Sequence, residues 1–162
     1  MTEFEKLLPI LTRSGVKFIL VGGLAAVVHG ASRATYDIDV VYARDSKNLQ
    51  RLVDALSPYD PYLRGAPPGL PFQWDRETIQ RGLNFTLTTK LGSLDLLGEI
   101  VGGGSYQDLL GSSQEVEIFG VRCLCLDLES LIQVKRAAGR PKDLEAVAEL
   151  ETILSERRQK RK

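Results

Sequence analysis

Two carboxylates stand two residues apart in a run that is otherwise β-branched and aromatic. The run is residues 33–42, Arg-Ala-Thr-Tyr-Asp-Ile-Asp-Val-Val-Tyr, and its acids are Asp37 and Asp39. Because a strand turns alternate side chains to opposite faces, both carboxylates point the same way. Two neighbouring anions repel each other, so the pattern indicates a cationic partner, and a divalent metal ion is the obvious one. The alternative is a pair of strand-end acids that bond to loop amides or to Arg33 and Arg44.

A glycine pair, Gly22 and Gly23, closes the apolar run that precedes the two acids. Without a β-carbon, these residues let the backbone approach a phosphate group, and a helix that follows them offers free amides at its N-terminus. An ordinary strand-to-helix turn would explain the glycines equally well. In combination with Asp37 and Asp39, the pair favours a site for nucleotide phosphates and a metal ion.

A third carboxylate, Asp95, lies in the strand-like segment 93–97. Leu94 and Leu96 share the opposite face of that strand, so Asp95 does not sit among the core leucines. We expect Asp95 to act as a further metal ligand. The alternative is a polar position on a half-exposed strand, with Glu99 as a weaker candidate ligand.

Lys135 continues the apolar face of a predicted helix and does not lie on its solvent-exposed face. Leu128 and Leu131 lie seven and four residues before it, which places all three on one side of a helix. A lysine at such a position either snorkels out to solvent or aims its ammonium into a polar cleft. A nucleoside triphosphate would suit that charge, so Lys135 is a candidate for nucleotide binding and catalysis.

Four other residues are weaker candidates for nucleotide binding. Pro141 fits the first position of a helix, which puts Asp143 in the first turn, where an anion favours the helix dipole. In the alternative, functional interpretation, Asp143 orients Lys135 or an acceptor group. Arg140 contacts phosphate in one interpretation and is simply solvated in the other. Arg33 and Thr35, just before the carboxylate strand, are also candidates for contact with a nucleotide.

Apolar spacing predicts an alternation of helices and strands around these residues. Helices are predicted over 4–12, 24–29, 46–56, 106–110, 128–138 and 141–154, and strands over 16–21, 36–42, 84–89, 93–97, 116–118 and 121–126. Ser46 is the predicted cap of its helix. Five of the seven prolines fall in residues 58–71, which predicts a long loop. The expected fold class is α/β (α+β), with a mixed sheet flanked by helices, the carboxylate strand near its centre, and a C-terminal helical part.

Composition and length restrict the class of protein. The chain carries 21 Lys plus Arg and 21 Asp plus Glu among 162 residues, so bulk charge does not indicate a nucleic-acid-coating protein. A nucleotide-binding core over 1–126, packed C-terminal helices over 127–156 and a frayed or disordered basic tail over 157–162 are the expected divisions. The sequence shows neither a signal peptide nor an apolar run of the ~20 residues that a membrane helix needs, so we expect a cytoplasmic protein.

The spacing of these motifs resembles that of the DNA polymerase beta-type nucleotidyltransferase superfamily. The matching elements are Val21-Gly22-Gly23, a spacer helix, Asp37-Ile38-Asp39 and, on a later strand, Asp95. The segment from Lys135 to Asp143 is similar to the small bacterial nucleotidyltransferases that include toxins of toxin–antitoxin pairs. One departure stands out: many members of the superfamily carry serine where this chain has Gly23.

The resemblance implies transfer of a nucleoside monophosphate from a nucleoside triphosphate to an acceptor, with release of pyrophosphate. It implies that Asp37, Asp39 and Asp95 hold Mg²⁺ or Mn²⁺. Relatives modify aminoglycosides, proteins or tRNA ends, so the acceptor stays open, and an antitoxin-like partner protein is possible on the same grounds. Two alternatives to a housekeeping enzyme remain: a non-catalytic nucleotide- or partner-binding subunit of the same fold, and the toxin of a toxin–antitoxin pair.

Overall fold

Helices and strands alternate along the chain, for which the computed structural model describes residues 1–161. Within that range the helices are α1 (Phe4–Arg13), α2 (Gly22–Val28), α3 (Ser46–Leu56), α4 (Arg76–Arg81), α5 (Tyr106–Leu109), α6 (Leu128–Ala138) and α7 (Pro141–Lys160). The strands are β1 (Phe18–Val21), β2 (Asp37–Tyr42), β3 (Tyr62–Leu63), β4 (Phe85–Thr89), β5 (Gly92–Leu97), β6 (Glu99–Ile100), β7 (Gly104–Ser105), β8 (Ser113–Ile118) and β9 (Val121–Leu126). Short 3-10 helices occupy Ser57–Tyr59 and Leu110–Ser112.

A mixed seven-stranded sheet forms the centre of the fold, in the order β3-β4-β5-β2-β1-β9-β8. Strand β2 pairs parallel with β5 and antiparallel with β1, and β1 pairs parallel with β9. The predicted fold class is therefore confirmed, and the strand that carries Asp37 and Asp39 is the fourth of the seven. A separate two-stranded sheet joins β6 to β7.

Helices pack on this sheet through apolar stripes. Helix α2 packs on β1 and β2 and also on α6, and α6 packs on α7. Helix α1 contacts α3 and β9. The core joins strand residues such as Ile38 and Leu94 to Leu131 of α6 and Leu150 of α7, all of which are fully buried. Sheet and C-terminal helices thus share one hydrophobic core.

The structure corrects several local predictions. Helix α2 already begins at Gly22, so the glycine pair forms its first turn instead of a turn before it. Asp45 caps α3, and its carboxylate accepts the backbone N–H of Asn48; Ser46 is the first helical residue. The predicted loop 58–71 contains strand β3, which pairs with β4 at the sheet edge. Helix α4 and the β6–β7 pair were not predicted, because each is too short to show a clear period.

Residues 157–160 of the basic tail belong to helix α7, where the sequence predicted a frayed or disordered end over 157–162; Lys162 lies outside the described residues. Side-chain contacts explain the extension. The Arg157 guanidinium donates to the His29 carbonyl at 3.0 Å, and Arg158 forms an ion pair with Glu129 at 3.1 Å. None of the helices in the described part of the chain is both long and apolar enough to cross a membrane.

Candidate active site

Three carboxylates meet on one face of the central strands, and we call Asp37, Asp39 and Asp95 the carboxylate cluster. Strand β2 alternates partly exposed Asp37 and Asp39 with buried Ile38, as its period requires. Asp39 stands opposite Asp95 in the register of the parallel pair β2–β5, and Asp37 stands opposite Ser93. Because opposite residues of paired strands share a face, the sheet brings the three predicted carboxylates together.

The surroundings of Asp39 disfavour the charged form of its carboxyl group. Burial, the adjacent Asp95 carboxyl group within hydrogen-bonding distance, and the charges of Asp95 and Asp37 together raise the pKa of Asp39 to about 8. The charge of Lys135 acts in the opposite direction. An anion so crowded takes up a proton unless a cation neutralises it. The protein alone therefore leaves this position short of positive charge.

The donor set fits a hard divalent cation. Carboxylate oxygens are the ligands that Mg²⁺ and Mn²⁺ prefer, and the three acids of the cluster lie on one face of two paired strands. Within residues 1–161, however, no three His, Cys, Asp or Glu side chains are already arranged to hold a metal ion. The side chains of the cluster must therefore reorient for three carboxylates to ligate one.

An arginine that the sequence did not reveal already contacts the cluster. Arg64 donates from Nη2 to Asp95 Oδ1 at 2.8 Å, and its Nη1 lies 3.9 Å from Asp37 Oδ2. Arg33 and Arg44, the sequence-based alternatives as partners, point elsewhere. Arg64 follows the two-residue strand β3 inside the proline-rich segment, and no local pattern predicts that its edge pairing carries it to the site.

Arg33 and Arg44 have other partners. Arg33 pairs with Glu145 of α7 at 3.2 Å, on an exposed surface. Arg44 donates to the carbonyl oxygens of Ile79 and Gln80, at 3.3 and 3.0 Å, and lies over the Tyr42 ring. Neither arginine forms an ion pair with the carboxylate cluster. The structure therefore does not support the alternative in which Arg33 and Arg44 neutralise Asp37 and Asp39.

The glycine pair fits tightly against residues of the site. Gly22 has φ +71°, and a β-carbon there would overlap the Asp39 carboxylate. A β-carbon on Gly23 would lie 2.6 Å from the Thr35 hydroxyl oxygen. That hydroxyl donates to the Asp37 carbonyl at 3.2 Å. Both glycines therefore make room for side chains of the β2 region, and Thr35 brings a hydroxyl to the place where Gly23 lacks one.

A cleft of about 250 Å³ opens beside the cluster, between the sheet and helix α6. Lys135 lines it together with Asp39 and Gly22. The side chain is half-buried, and burial lowers the pKa of Lys135, against the opposing charges of Asp143 and Asp39. The apolar part of the lining comes from β1, β5, the end of β6 with the residue after it, and α6, namely Val21, Leu97, Ile100, Val101, Leu131, Val134 and Ala138. Lys135 thus reaches a cleft with mixed polar and apolar walls, as its place on the apolar stripe suggested.

Arg140 and Asp143 stand at the mouth of the same cleft and bind each other. The Asp143 carboxylate accepts the Arg140 backbone N–H at 3.3 Å and Nε–H at 2.7 Å, so that it ties the first turn of α7 to the residue before the helix. Burial raises the pKa of the Asp143 carboxyl, but the hydrogen bonds and charge of Arg140 outweigh burial and hold that pKa below its usual range. Asp143 thus lies in the first turn of α7, as predicted, and its carboxylate binds Arg140.

Solved structures share this fold, whereas no protein-family model and no curated protein sequence matches the chain. The lincosamide antibiotic adenylyltransferase LnuA, solved with lincomycin bound, matches with a TM-score of 0.61 at 18% identity, over 94% of this chain and 98% of that one. A protein from Thermotoga maritima assigned as a nucleotidyltransferase matches with 0.57 at 16% identity, over 94% and 96%.

The third comparison is ANT(2")-Ia, solved in complex with adenylyl-2"-tobramycin. It matches with a TM-score of 0.54 at 15% identity, over 98% of this chain and 97% of that one. At such low identity these likenesses establish the nucleotidyltransferase fold and leave the activity to be argued from the site.

Proposed function

We propose that the protein is a metal-dependent nucleotidyltransferase, which moves a nucleoside monophosphate from a nucleoside triphosphate to an acceptor hydroxyl and releases pyrophosphate. One observation carries the proposal: Asp39 stands opposite Asp95 in paired central strands, with Asp37 on the same face and a cleft containing Lys135 beside them. Three crowded carboxylates are costly in a protein of this size, and a divalent ion with a polyphosphate gives them a function.

Asp37 and Asp39 would hold the divalent ion, Mg²⁺ or Mn²⁺, and Asp95 would be a further ligand. When bound, the ion supplies positive charge that neutralises the phosphate oxygens of the triphosphate and of the transition state. Burial, the hydrogen bond with the Asp95 carboxyl group and the charges of Asp95 and Asp37 raise the pKa of Asp39 to about 8. A bound cation would favour the charged form of that side chain.

The triphosphate would lie in the cleft between the sheet and α6. Lys135 presents its ammonium there, and Arg140 stands at the cleft with its guanidinium oriented by Asp143. Gly22 and Gly23 bring the backbone of α2 close to the cluster without side chains in the way. Thr35 contributes a hydroxyl near the same point, and Arg33 stays a more distant candidate because it pairs with Glu145.

Asp95 would also receive the proton of the acceptor. In the transfer, the acceptor oxygen forms a bond to the α-phosphorus, and the bond from that phosphorus to the bridging oxygen of pyrophosphate breaks. The acceptor proton passes to the Asp95 carboxylate, whose side chain is 23% exposed. The pyrophosphate leaves with its charge balanced by Lys135 and Arg140.

The acceptor is best sought among small molecules with hydroxyl groups. The face of the sheet next to Asp95 exposes Thr86 and Thr88 of β4 and partly exposes Ser93 of β5. A polar, shallow surface of this kind suits a hydroxylated ligand. LnuA and ANT(2")-Ia, which share the fold over nearly their whole chains, were solved with lincomycin and with adenylyl-2"-tobramycin. Both ligands therefore belong in an acceptor panel.

A second candidate function is a non-catalytic nucleotide-binding protein of the same fold. The contact of Arg64 with Asp95 favours it, because a permanent guanidinium would satisfy the cluster without a metal ion. A toxin that acts by nucleotidyl transfer has the same chemistry as the proposed enzyme. Co-expression with and without the product of a neighbouring gene would separate that role from a housekeeping one.

The direct test incubates the protein with each of four α-labelled nucleoside triphosphates and Mg²⁺ or Mn²⁺. The acceptors are lincomycin, tobramycin, bulk tRNA and the protein itself. We expect label transfer that Asp39→Asn abolishes and Asp60→Asn leaves intact, since Asp60 only forms an exposed ion pair with Lys90. Transfer that survives Asp39→Asn would refute the mechanism. Nucleotide binding without transfer to any acceptor would support the non-catalytic candidate.

A further inference from the structure

Arg64 belongs to a row of residues that crosses the sheet at right angles to the strands. The Arg64 backbone N–H donates to the Thr86 carbonyl at 2.9 Å, so that Arg64 continues the β3–β4 pairing. Thr86 stands opposite Asp95 on β5, and Asp95 stands opposite Asp39 on β2. Residues in one such row share a face. The edge of the sheet therefore directs the Arg64 side chain over Thr86 toward the carboxylate cluster.

The guanidinium of Arg64 lies between two of the predicted metal ligands. Nη2 is 2.8 Å from Asp95 Oδ1, and Nη1 is 3.9 Å from Asp37 Oδ2. Asp37 and Asp95 are diagonal neighbours in the β2–β5 register, so the cation spans the cluster. With its side chain 28% exposed, Arg64 is mostly withdrawn from solvent. A divalent ion bound to Asp37 and Asp95 would need the same space.

The present position of Arg64 is incompletely satisfied. Its Nη2 also donates to the Leu87 carbonyl at 2.7 Å, but its Nε is buried without a hydrogen-bond partner. A buried donor without a partner destabilises this arrangement. Gly65, the next residue, is exposed, and a β-carbon there would meet nothing within 4 Å. Position 65 is therefore exposed and has no neighbour packed against it.

We infer that Arg64 is an intramolecular competitor of the divalent ion, bound to Asp95 and Asp37 in the metal-free protein and displaced when the ion binds. The inference rests on the proposed function, because it takes the cluster to be a metal site. The exchange replaces one singly charged guanidinium by a doubly charged ion, which suits the excess negative charge at Asp39. Arg64 would therefore set the metal concentration at which the site becomes competent.

The test measures Mn²⁺ affinity without nucleotide, from the electron paramagnetic resonance signal of free Mn²⁺. Arg64→Gln removes the competing charge and should tighten Mn²⁺ binding by roughly tenfold, which corresponds to about 1.4 kcal/mol. Arg64→Lys retains a charge that cannot reach two carboxylates at once and should give an intermediate affinity. Arg122→Gln is the matched control, since Arg122 forms only an exposed ion pair with Glu115, and it should bind Mn²⁺ as the wild type does.

Thermal unfolding gives a second readout that does not depend on activity. In EDTA, Arg64→Gln should unfold at a lower temperature than the wild type, because Asp37 and Asp95 lose their cation. Saturating Mn²⁺ should raise the midpoint of Arg64→Gln more than that of the wild type. Equal or weaker Mn²⁺ binding by Arg64→Gln would overturn the inference.

Asp39→Asn separates the inference from the proposed function on which it rests. Suppose that Asp39→Asn abolishes Mn²⁺ binding while Arg64→Gln leaves it unchanged: the metal site then stands, and only the competition fails. Suppose instead that neither the wild type nor Arg64→Gln binds Mn²⁺, even with a non-hydrolysable nucleoside triphosphate present. The proposed function then fails together with the inference.

Discussion

Gly22 is the residue on which the shape of the site depends most directly. Its φ of +71° lies in the left-handed region, and a β-carbon would overlap the Asp39 carboxylate. Gly22→Ala should therefore lower the free energy of unfolding by more than ~3 kcal/mol, from backbone strain and a clash with Asp39 together. Urea unfolding followed by circular dichroism measures the change.

Gly120→Ala isolates the clash from the strain. Gly120 lies in the β8–β9 turn with a similar φ of +75°, and a β-carbon there would meet nothing within 4 Å. Gly120→Ala should lower the free energy of unfolding by only about 1 kcal/mol, because an alanine in the left-handed conformation is strained. Equal losses in the two variants would mean that Asp39 can move away from position 22 without penalty.

Substitution of Lys135 tests whether its charge contributes to the binding of a nucleoside triphosphate. Lys135→Met keeps the apolar stem of the side chain and removes its charge, so affinity for a non-hydrolysable nucleoside triphosphate with Mg²⁺ should fall roughly 10- to 100-fold. Isothermal titration calorimetry measures the affinity. Because burial lowers the pKa of Lys135, the charge is costly to the empty protein, and the variant should be at least as stable as the wild type.

Lys90→Met is the control for a general loss of positive charge. Lys90 pairs with Asp60 on the surface, and both side chains are exposed. Its substitution should leave nucleotide affinity unchanged. If Lys135→Met also binds the nucleotide normally, the Lys135 side chain only packs its stem and reaches solvent with its ammonium.

Local alternation was enough to place the carboxylates but not their cationic neighbour. The period of two puts Asp37 and Asp39 on one face, and Leu94 and Leu96 show which way Asp95 points. Arg64 reaches the same face only through the pairing of β3 with β4, at the far edge of the sheet. Such a long-range register depends on the whole fold, and a two-residue strand among prolines carries no period that could reveal it.

At the scale of the elements, His29 joins α2 to β9 and α7. It is the single histidine of the chain, and it caps the C-terminal end of α2. Nε2 donates to the Leu126 carbonyl at 2.8 Å, and Nδ1 faces the Arg157 guanidinium at 3.3 Å. A neutral ring with its proton on Nε2 satisfies both contacts, whereas a protonated ring would set two N–H donors against each other.

The state of this histidine predicts how stability depends on pH. Burial lowers the pKa of His29; the Leu126 carbonyl and the Asp127 charge raise it, while Arg157 lowers it further, and the net shift is downward. In the unfolded chain the imidazole titrates near its ordinary value of about 6.5, so below that pH the unfolded state binds more protons. We therefore expect the contribution of neutral His29 to the free energy of unfolding to be complete above about pH 6.5. Below that pH the free energy of unfolding should decrease as the pH falls.

His29→Gln removes the titration while it keeps a donor and an acceptor. Urea titrations from pH 7.5 to 5 give the free energy of unfolding of both proteins. As the pH falls, the wild type should lose stability relative to the variant. A difference that stays constant over this range would show that His29 keeps its ordinary pKa in the folded protein. Carboxylates common to both proteins cancel in the comparison.

The strongly periodic helix α6 was predicted with its observed bounds, whereas α4, β3 and the β6–β7 pair were not predicted. Helix α6 has the predicted bounds, residues 128–138, because Leu128, Leu131 and Ile132 mark its buried face. Helix α7 continues to Lys160, beyond its apolar stripe, because contacts of its last turns with His29 and Glu129 hold residues that have no periodic signal of their own. Tertiary contacts of this kind override local pattern.

At the scale of the whole molecule, the candidate site is a product of the complete fold. The β2–β5 pairing supplies the carboxylates, the sheet edge supplies Arg64, and α6 supplies Lys135. The division of the chain into a core over 1–126 and C-terminal helices over 127–156 therefore separates Lys135 from its partners. Leu131 and Leu150 of those helices are fully buried in the same cluster as the strand residues.

We accordingly expect the chain to unfold as one cooperative unit. Trp74, the single tryptophan, donates to the Val53 carbonyl of α3 at 3.0 Å, and so its fluorescence reports on the part of the fold around α3. Far-ultraviolet circular dichroism reports largely on helix, of which α7 with 20 residues is the longest piece. Because one core joins these regions, the two signals should change at the same guanidinium concentration.

Residues 1–126 alone provide the complementary test of this cooperativity. Removal of α6 and α7 would expose the surface of α2 that packs on α6 in the complete chain. The fragment should therefore fail to give a cooperative thermal transition. A dichroism change that precedes the fluorescence change, together with a fragment that melts cooperatively, would mean that α6 and α7 are an appendage on an independent core. Lys135 would then approach the carboxylate cluster on a mobile element, and nucleotide binding should bring the two unfolding transitions together.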